Sequence, residues 1–285
     1  VIKAAPLWDS WYVDEELGEG LSGKVYKVHK TCYAAVKVIP IPHSEKDIEF
    51  ARLEMMYVVD NLRLMMEFED RKNIVSIEDY KVVDRGSMRW DILIRMELLH
   101  SLPSYITEHF LTNNDVIRLG LDISHALELY AMKGITHSEI KPDNILVSDC
   151  GDFKLDVDLG RYAERDMFHK AAMLYAAPEV LRAGPHDIRA DLYSLGIIMY
   201  RFLNMNRLPF MPRFPEPITV HSKEEALQRR MRGDELPDIP DIEPALNEFV
   251  LKACAFRQED RFMDASEFRR ELERVRDSEG GIIKT

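Results

Sequence analysis

Hydrophobic periodicity changes character about a third of the way along this chain, and the change restricts the folds open to it. From Trp11 to Ile94 the dominant pattern is that of strands: Lys24-Val25-Tyr26-Lys27-Val28 alternates, and Tyr33 to Ile39 is a second apolar run. One helical stretch interrupts it, from Asp47 to Glu67. It carries Ile48, Ala51, Met55, Val58, Val59, Leu62 and Met66 at the 3.6-residue period, with Ser44 as the expected N-cap. After Leu99 the chain reads as helices at Asn114 to Met132, Ile188 to Leu203, and near Glu224 to Met231, Pro244 to Ala255 and Ala265 to Val275. Asn144 to Leu155 reads as a hairpin turning at Asp149-Cys150-Gly151-Asp152. Strands segregated from helices predict an α+β fold of two lobes, residues 1–98 and 99–285, with the seam at about Met96 to Leu99.

Composition narrows the partners. A formal net charge of -12 argues against a nucleic-acid or anionic-membrane surface, both of which require clustered Lys and Arg. The basic run Gln228-Arg229-Arg230-Met231-Arg232 reads as a solvated helix face. Cys32, Cys150 and Cys254 are far apart and odd in number, as expected of free thiols in a reducing compartment. No Cys or His spacing points to zinc. Apolar runs such as Leu195 to Tyr200 are far shorter than the roughly 20 residues a spanning helix needs. No basic region followed by an apolar core opens the chain, so no signal peptide is expected. The expected setting is cytoplasmic, as a free protein or as the inner domain of a larger one.

Two constellations carry chemistry. Leu17-Gly-Glu-Gly-Leu-Ser-Gly-Lys-Val25 places glycines at 18, 20 and 23, where the missing Cβ lets backbone approach phosphate oxygens. A dinucleotide-binding turn uses similar glycines but opens a helix, and here a strand follows. Fourteen residues after Gly23, Lys37 closes the strand segment Ala34-Ala35-Val36-Lys37. In the second half, His137-Ser-Glu-Ile-Lys-Pro-Asp-Asn144 gathers an acid, a lysine and an amide within a short loop.

In order, these segments resemble the motifs of the protein kinases, of the serine/threonine type found in the bacterial eukaryotic-like enzymes. The resemblance runs from about Trp11 to Val275 and includes Ala177-Pro178-Glu179, Asp191 to Gly196, and Arg261 as the partner of Glu179. It implies a glycine hairpin (Gly18, Gly20, Gly23) and Lys37 on the phosphates of ATP held between the lobes. Val25, Ala35 and Leu146 would be the walls around adenine, and Met96 to Leu99, with Glu97 and Leu99, the hinge that reads the base edge. It implies Glu139 as the catalytic base, Lys141 on the γ-phosphate, and Asn144 and Asp158 as magnesium ligands. A protein substrate or a regulated protein partner follows from the same resemblance.

The pattern is broken in several places. Glu139 stands where the family has Asp, and Ser138 replaces an Arg. With no gap, Val157 falls on the metal-binding acid; a one-residue bulge would instead make Asp158-Leu159-Gly160 the magnesium motif. Counting back from Asn73-Ile74-Val75 places the acid partner of Lys37 at Asp60 or Asn61, with Glu54 nearly two turns earlier. Arg161 to Ala176 contains no Ser or Thr, and Ala172 takes a threonine's place before Tyr175. Tyr162 and Tyr175 read as packing residues. The expectation is a domain that binds ATP but transfers phosphate weakly or not at all, a pseudokinase. The alternative is an active serine/threonine kinase that uses Glu139. A small-molecule kinase of the same superfamily is less favoured, because Ala177-Pro178-Glu179 suits protein substrates.

Overall fold

A computed structural model describes residues 6–20, 23–44, 46–86, 89–157 and 173–280. The chain divides into two compact units, one running to His100 and taking in Val157, the other built from Ser101 to Asp156 and from residue 173 onward. The fold is α+β, with a β-sheet N-terminal region and a helical C-terminal region.

The first unit is a five-stranded antiparallel sheet of β1 (Tyr12–Gly20), β2 (Gly23–His29), β3 (Tyr33–Pro42), β4 (Ile77–Asp84) and β5 (Arg89–Met96), ordered β1-β2-β3-β5-β4. α1 (Ile48–Met66) lies between β3 and β4 in sequence and packs on both. β3 is buried on both faces, which is why it reads as an apolar run broken only by Lys37. Its period of two places Ala34, Val36 and Val38 on one face and Ala35, Lys37, Ile39 and Ile41 on the other. Trp8 and Trp11 cover the first face, packed with Val28, Val36 and Leu93. The guanidinium of Arg95 lies 5.5 Å from the Trp8 ring and 5.1 Å from the Trp11 ring.

Ser44 is not the cap of α1. The capping position is Asp47, and Ser44 instead donates its hydroxyl to Asp47 Oδ1 at 2.8 Å. The carboxylate thus closes the turn before the helix rather than bonding its first free N–H groups.

The second unit follows a short strand β6 (His100–Ser101), which forms a small sheet ordered β6-β7-β8 with β7 (Ile145–Val147) and β8 (Phe153–Leu155). Its helices are α2 (Leu102–Glu108), α3 (Asn113–Met132), α4 (Pro178–Leu181), α5 (Ile188–Leu203), α6 (Val220–Arg232), α7 (Pro244–Ala253) and α8 (Ala265–Gly280). α5 forms the centre, with every residue from Ala190 to Tyr200 buried. A Cβ at its Gly196 would lie 2.8 Å from that of Ala253 on α7, so only glycine permits this approach. α6 begins four residues before its expected start because Thr219 and Ser222 form a reciprocal capping box. The basic run on α6 is not wholly solvated. Arg230 is 5% exposed and donates Nη1 to the carbonyl of Leu174 at 2.5 Å. Among the described residues no helix is long and apolar enough to cross a membrane.

Candidate active site

In the first unit the glycines of the β1–β2 hairpin differ in what requires them. Gly23 has φ +148°, and a Cβ there would lie 1.9 Å from the carbonyl oxygen of Val38, so the sheet itself demands glycine. Gly18 and Gly20 have open space where a Cβ would stand and no positive φ. Among the described residues nothing calls for glycine at those two positions. A phosphate resting against backbone would, so the residues present fit a nucleotide. Gly20 pairs with Gly23 across the hairpin, and Leu21 and Ser22 lie outside the described residues.

Lys37 sits opposite Val25 on β2 and Ile94 on β5, and is 9% exposed. Ala35, opposite Met96, is 4% exposed, and Val25 is half-buried. On α1 the acid on the buried face is Glu54, 6% exposed and in line with Ala51, Val58, Leu62 and Met65. Asp60 is 67% exposed and pairs with Arg63 at 3.4 Å, and Asn61 is only half-buried. The count back from Asn73 therefore falls on residues outside the buried face of α1. The sheet does not resume at Asn73 but at Ile77, and the segment from Glu67 to Ser76 separates the helix from it. Helical phase puts Glu54 on the buried face, since 54, 58, 62 and 65 share it.

At the end of β5, Glu97 is tied to Ser76: its N–H donates to the Ser76 carbonyl at 3.2 Å, and its carboxylate accepts the Ser76 N–H at 2.7 Å. Glu97, Leu98 and Leu99 are all half-buried.

In the second unit the loop that starts at His137 is held by Asp191 near the start of α5. The N–H groups of His137 and Ser138 donate to its two carboxylate oxygens at 2.9 and 2.8 Å. Burial pushes the Asp191 carboxyl above the usual carboxylate range, while His137 and the two N–H donors pull it down. Ser138 adopts φ +65°, a left-handed conformation that these bonds hold in place. The His137 ring reaches the Asp156 carbonyl through Nε2 at 3.0 Å. This anchoring role of Asp191 was not read from the sequence. Its signal is a lone acid near the start of an otherwise apolar, buried helix.

On that frame Glu139, Lys141 and Asn144 come together. Lys141 Nζ donates to Glu139 Oε1 at 2.7 Å. Asn144 Nδ2 donates to the Glu139 carbonyl at 2.8 Å and to Oε2 at 3.3 Å. Both carboxylate oxygens of Glu139 are thus engaged by neighbours, and the oxygen left on Asn144 for a hard cation is Oδ1. Leu146, half-buried, projects from β7 opposite to its fully buried neighbours Ile145 and Val147.

The β7–β8 ladder pairs Ile145 with Leu155, Leu146 with Lys154 and Val147 with Phe153, and the Asp156 N–H then donates to the Asn144 carbonyl at 2.8 Å. The pairing contains no extra residue as far as Asp156. Any bulge that brings Asp158 into the metal position therefore falls after it. Val157 is 4% exposed. Asp158, Leu159, Gly160, Tyr162 and Ala172 lie outside the described residues.

Beyond them, Tyr175 is buried and its hydroxyl accepts from Arg201; burial pushes this phenol up, and Arg201 acts against that. Glu179 on α4 accepts two bonds from Arg261, at 2.7 and 2.9 Å. The Arg261 side chain is fully buried and also donates to the carbonyls of Ala255, Arg189 and Phe256.

A glycine hairpin and buried lysine on an antiparallel sheet, followed by a helical unit whose loop presents acid, lysine and amide, define a serine/threonine-kinase-like domain. The chain matches the protein kinase domain over residues 11–270 and belongs to that family. It is 26% identical over 273 residues to a probable serine/threonine-protein kinase, PknB, of Lactococcus lactis, covering 91% of this chain and 41% of that protein. It is 27% identical over 283 residues to a probable serine/threonine-protein kinase of Clostridium acetobutylicum, covering 95% and 41%. An Aurora kinase of the yeast Debaryomyces hansenii is 30% identical over 223 residues, covering 71% and 49%. The chain spans about half or less of the length of these relatives.

Proposed function

We propose that this is a kinase-fold domain, divided near residues 98 and 99, that binds ATP and transfers its γ-phosphate weakly or not at all, acting by binding or regulating a protein partner in a cytoplasmic setting. The glycine hairpin (Gly18, Gly20, Gly23) and Lys37 take the phosphates, with Glu54 as the acid that orients Lys37. Val25, Ala35, Glu97, Leu99 and Leu146 contact the base. The observation that carries the reading is the clasp at Glu139. A carboxylate one methylene longer than the family's acid bonds Lys141, the group that would otherwise serve the γ-phosphate, and the amide Nδ2 of Asn144, whose Oδ1 stays open to a magnesium ion. Magnesium, where bound, would neutralise charge on the phosphates; the side chain of Asn144 can supply one oxygen and that of Val157 none.

An active serine/threonine kinase is the second reading, favoured by the intact support of the loop. Asp191 holds His137 and Ser138, and Arg261 holds Glu179. Glutamate and aspartate differ in proton affinity by only about half a pKa unit, so the chemistry is open to Glu139.

Two measurements test the proposal. ATP should raise the melting temperature, and Lys37→Met should abolish the rise; a chain that ATP does not stabilise is not a nucleotide-binding domain. Transfer to a generic basic protein should be slow or absent. Transfer at roughly 1–100 per second, lost in Lys37→Met, would establish the second reading.

A further inference from the structure

Among the described residues, the face of the first sheet opposite to Lys37 is only partly covered. Trp8 and Trp11 cap it over Val28, Ala34, Val36 and Leu93. Beside them lies a depression of about 430 Å³ lined by Leu7, Tyr26, Val38, Arg85, Arg89 and Asp91. Its apolar side is aliphatic and aromatic. Its polar side is a built cluster, since Asp91 is 2% exposed and accepts Arg85 Nε at 3.0 Å and Arg89 Nε at 2.5 Å.

The β4–β5 hairpin fixes both arginines. Arg85 N–H donates to the Arg89 carbonyl at 3.0 Å, and Gly86 N–H donates to Asp84 Oδ1 at 2.7 Å. Each guanidinium meets Asp91 through Nε alone, and among the described residues neither terminal NH2 pair has a partner. The two side chains are 43% and 49% exposed, so these forks are open to solvent. Two arginines on one aspartate leave a net charge of +1 on a protein whose net charge is -12. A single carboxylate would neutralise the cluster and accept both forks, while the neighbouring apolar wall takes a hydrophobic group.

We propose that this depression is a docking site for an acidic peptide segment of a protein partner, one presenting an apolar side chain next to an Asp or Glu carboxylate. The site lies on the sheet face opposite to Lys37, so its occupancy does not require the nucleotide reading.

The test is titration of the whole chain with the blocked peptide acetyl-Phe-Asp-Phe-amide, followed calorimetrically. Comparison peptides carry Asn or phosphoserine in place of Asp. The expected result is saturable binding of the Asp peptide, weakened about tenfold or more when Asn replaces Asp, because a charged hydrogen-bond acceptor is lost. Arg85→Gln should weaken it similarly while leaving Arg89 to hold Asp91. Leu7→Asp places a like charge at the rim without touching the ion pair, and should also weaken it. Lys37→Met should leave it unchanged. Equal binding of the Asn peptide, tighter binding of the phosphoserine peptide, loss of binding in Lys37→Met, or indifference to both rim variants would each overturn the proposal.

Discussion

Shortening Glu139 to Asp is the perturbation most directly set by the geometry. The longer side chain places its carboxylate about 1.5 Å further from the backbone than aspartate would, and catalysis in this class rests on positioning. A displacement of that order is worth about 100-fold in rate, or roughly 2.7 kcal/mol of barrier. In the present loop Oε2 is 3.3 Å from Asn144 Nδ2, and Oε1 is 2.7 Å from Lys141 Nζ. Glu139→Asp withdraws the carboxylate from this clasp but keeps the bond from Asn144 to the residue 139 carbonyl, so the loop should stay in place. The lost contacts are partly solvated, with the Glu139 side chain 29% exposed, and should cost under about 1 kcal/mol of stability. The assay is transfer of labelled phosphate from ATP to a generic basic protein, with Glu139→Asp/Lys37→Met as the blank. The expected outcome is a rise of about 100-fold over the parent, with a melting temperature within a few degrees of it. A variant that still binds ATP yet transfers no faster than the parent would refute the claim that the acid's reach is limiting, and would move the lesion to Val157.

Three further outcomes follow from the same structure. Arg261→Met leaves Glu179 without its bidentate partner, and breaking a buried pair costs about 3–5 kcal/mol; denaturant unfolding measures it, and a loss under about 1 kcal/mol would contradict the buried-pair account. Gly23→Ala should destabilise the chain by clash with the Val38 carbonyl. Gly20→Ala should leave the melting temperature nearly unchanged but weaken ATP-induced stabilisation, and the reverse ordering would sink the distinction between the two glycines. Of the three thiols, Cys32 and Cys150 are exposed, whereas burial pushes Cys254 up to about 12. A native-state thiol titration at pH 8 should therefore count two, rising to three in denaturant.

The α+β arrangement was legible because its signals are local. β3 is an apolar run broken only by Lys37, α5 an apolar helix, and the hairpin at Cys150-Gly151 is set by a glycine at φ +79°. Motifs whose residues are neighbours in the chain were legible for the same reason, as in the loop from His137 to Asn144. Spacing failed where a turn of unknown length intervened, as between α1 and β4, and there the count fell on Asp60 while burial singled out Glu54. It also failed for charged groups on a helix: the run on α6 reads as basic and solvated, yet Arg230 turns inward to the Leu174 carbonyl.

Composition and order of residues alone thus determined the kinase-like class of this chain, its strand-rich and helix-rich parts, and the presence of Glu139 where the family keeps a shorter acid. Only the tertiary structure decided which acid α1 buries, that Asp191 holds the loop at His137 and Ser138, that Glu139 closes on Lys141 and Asn144, and that Arg85 and Arg89 meet on Asp91. The physical reason is the same in each case. A hydrogen bond or burial between groups 53 residues apart, as between Ser138 and Asp191, depends on how elements pack, and no local period encodes it.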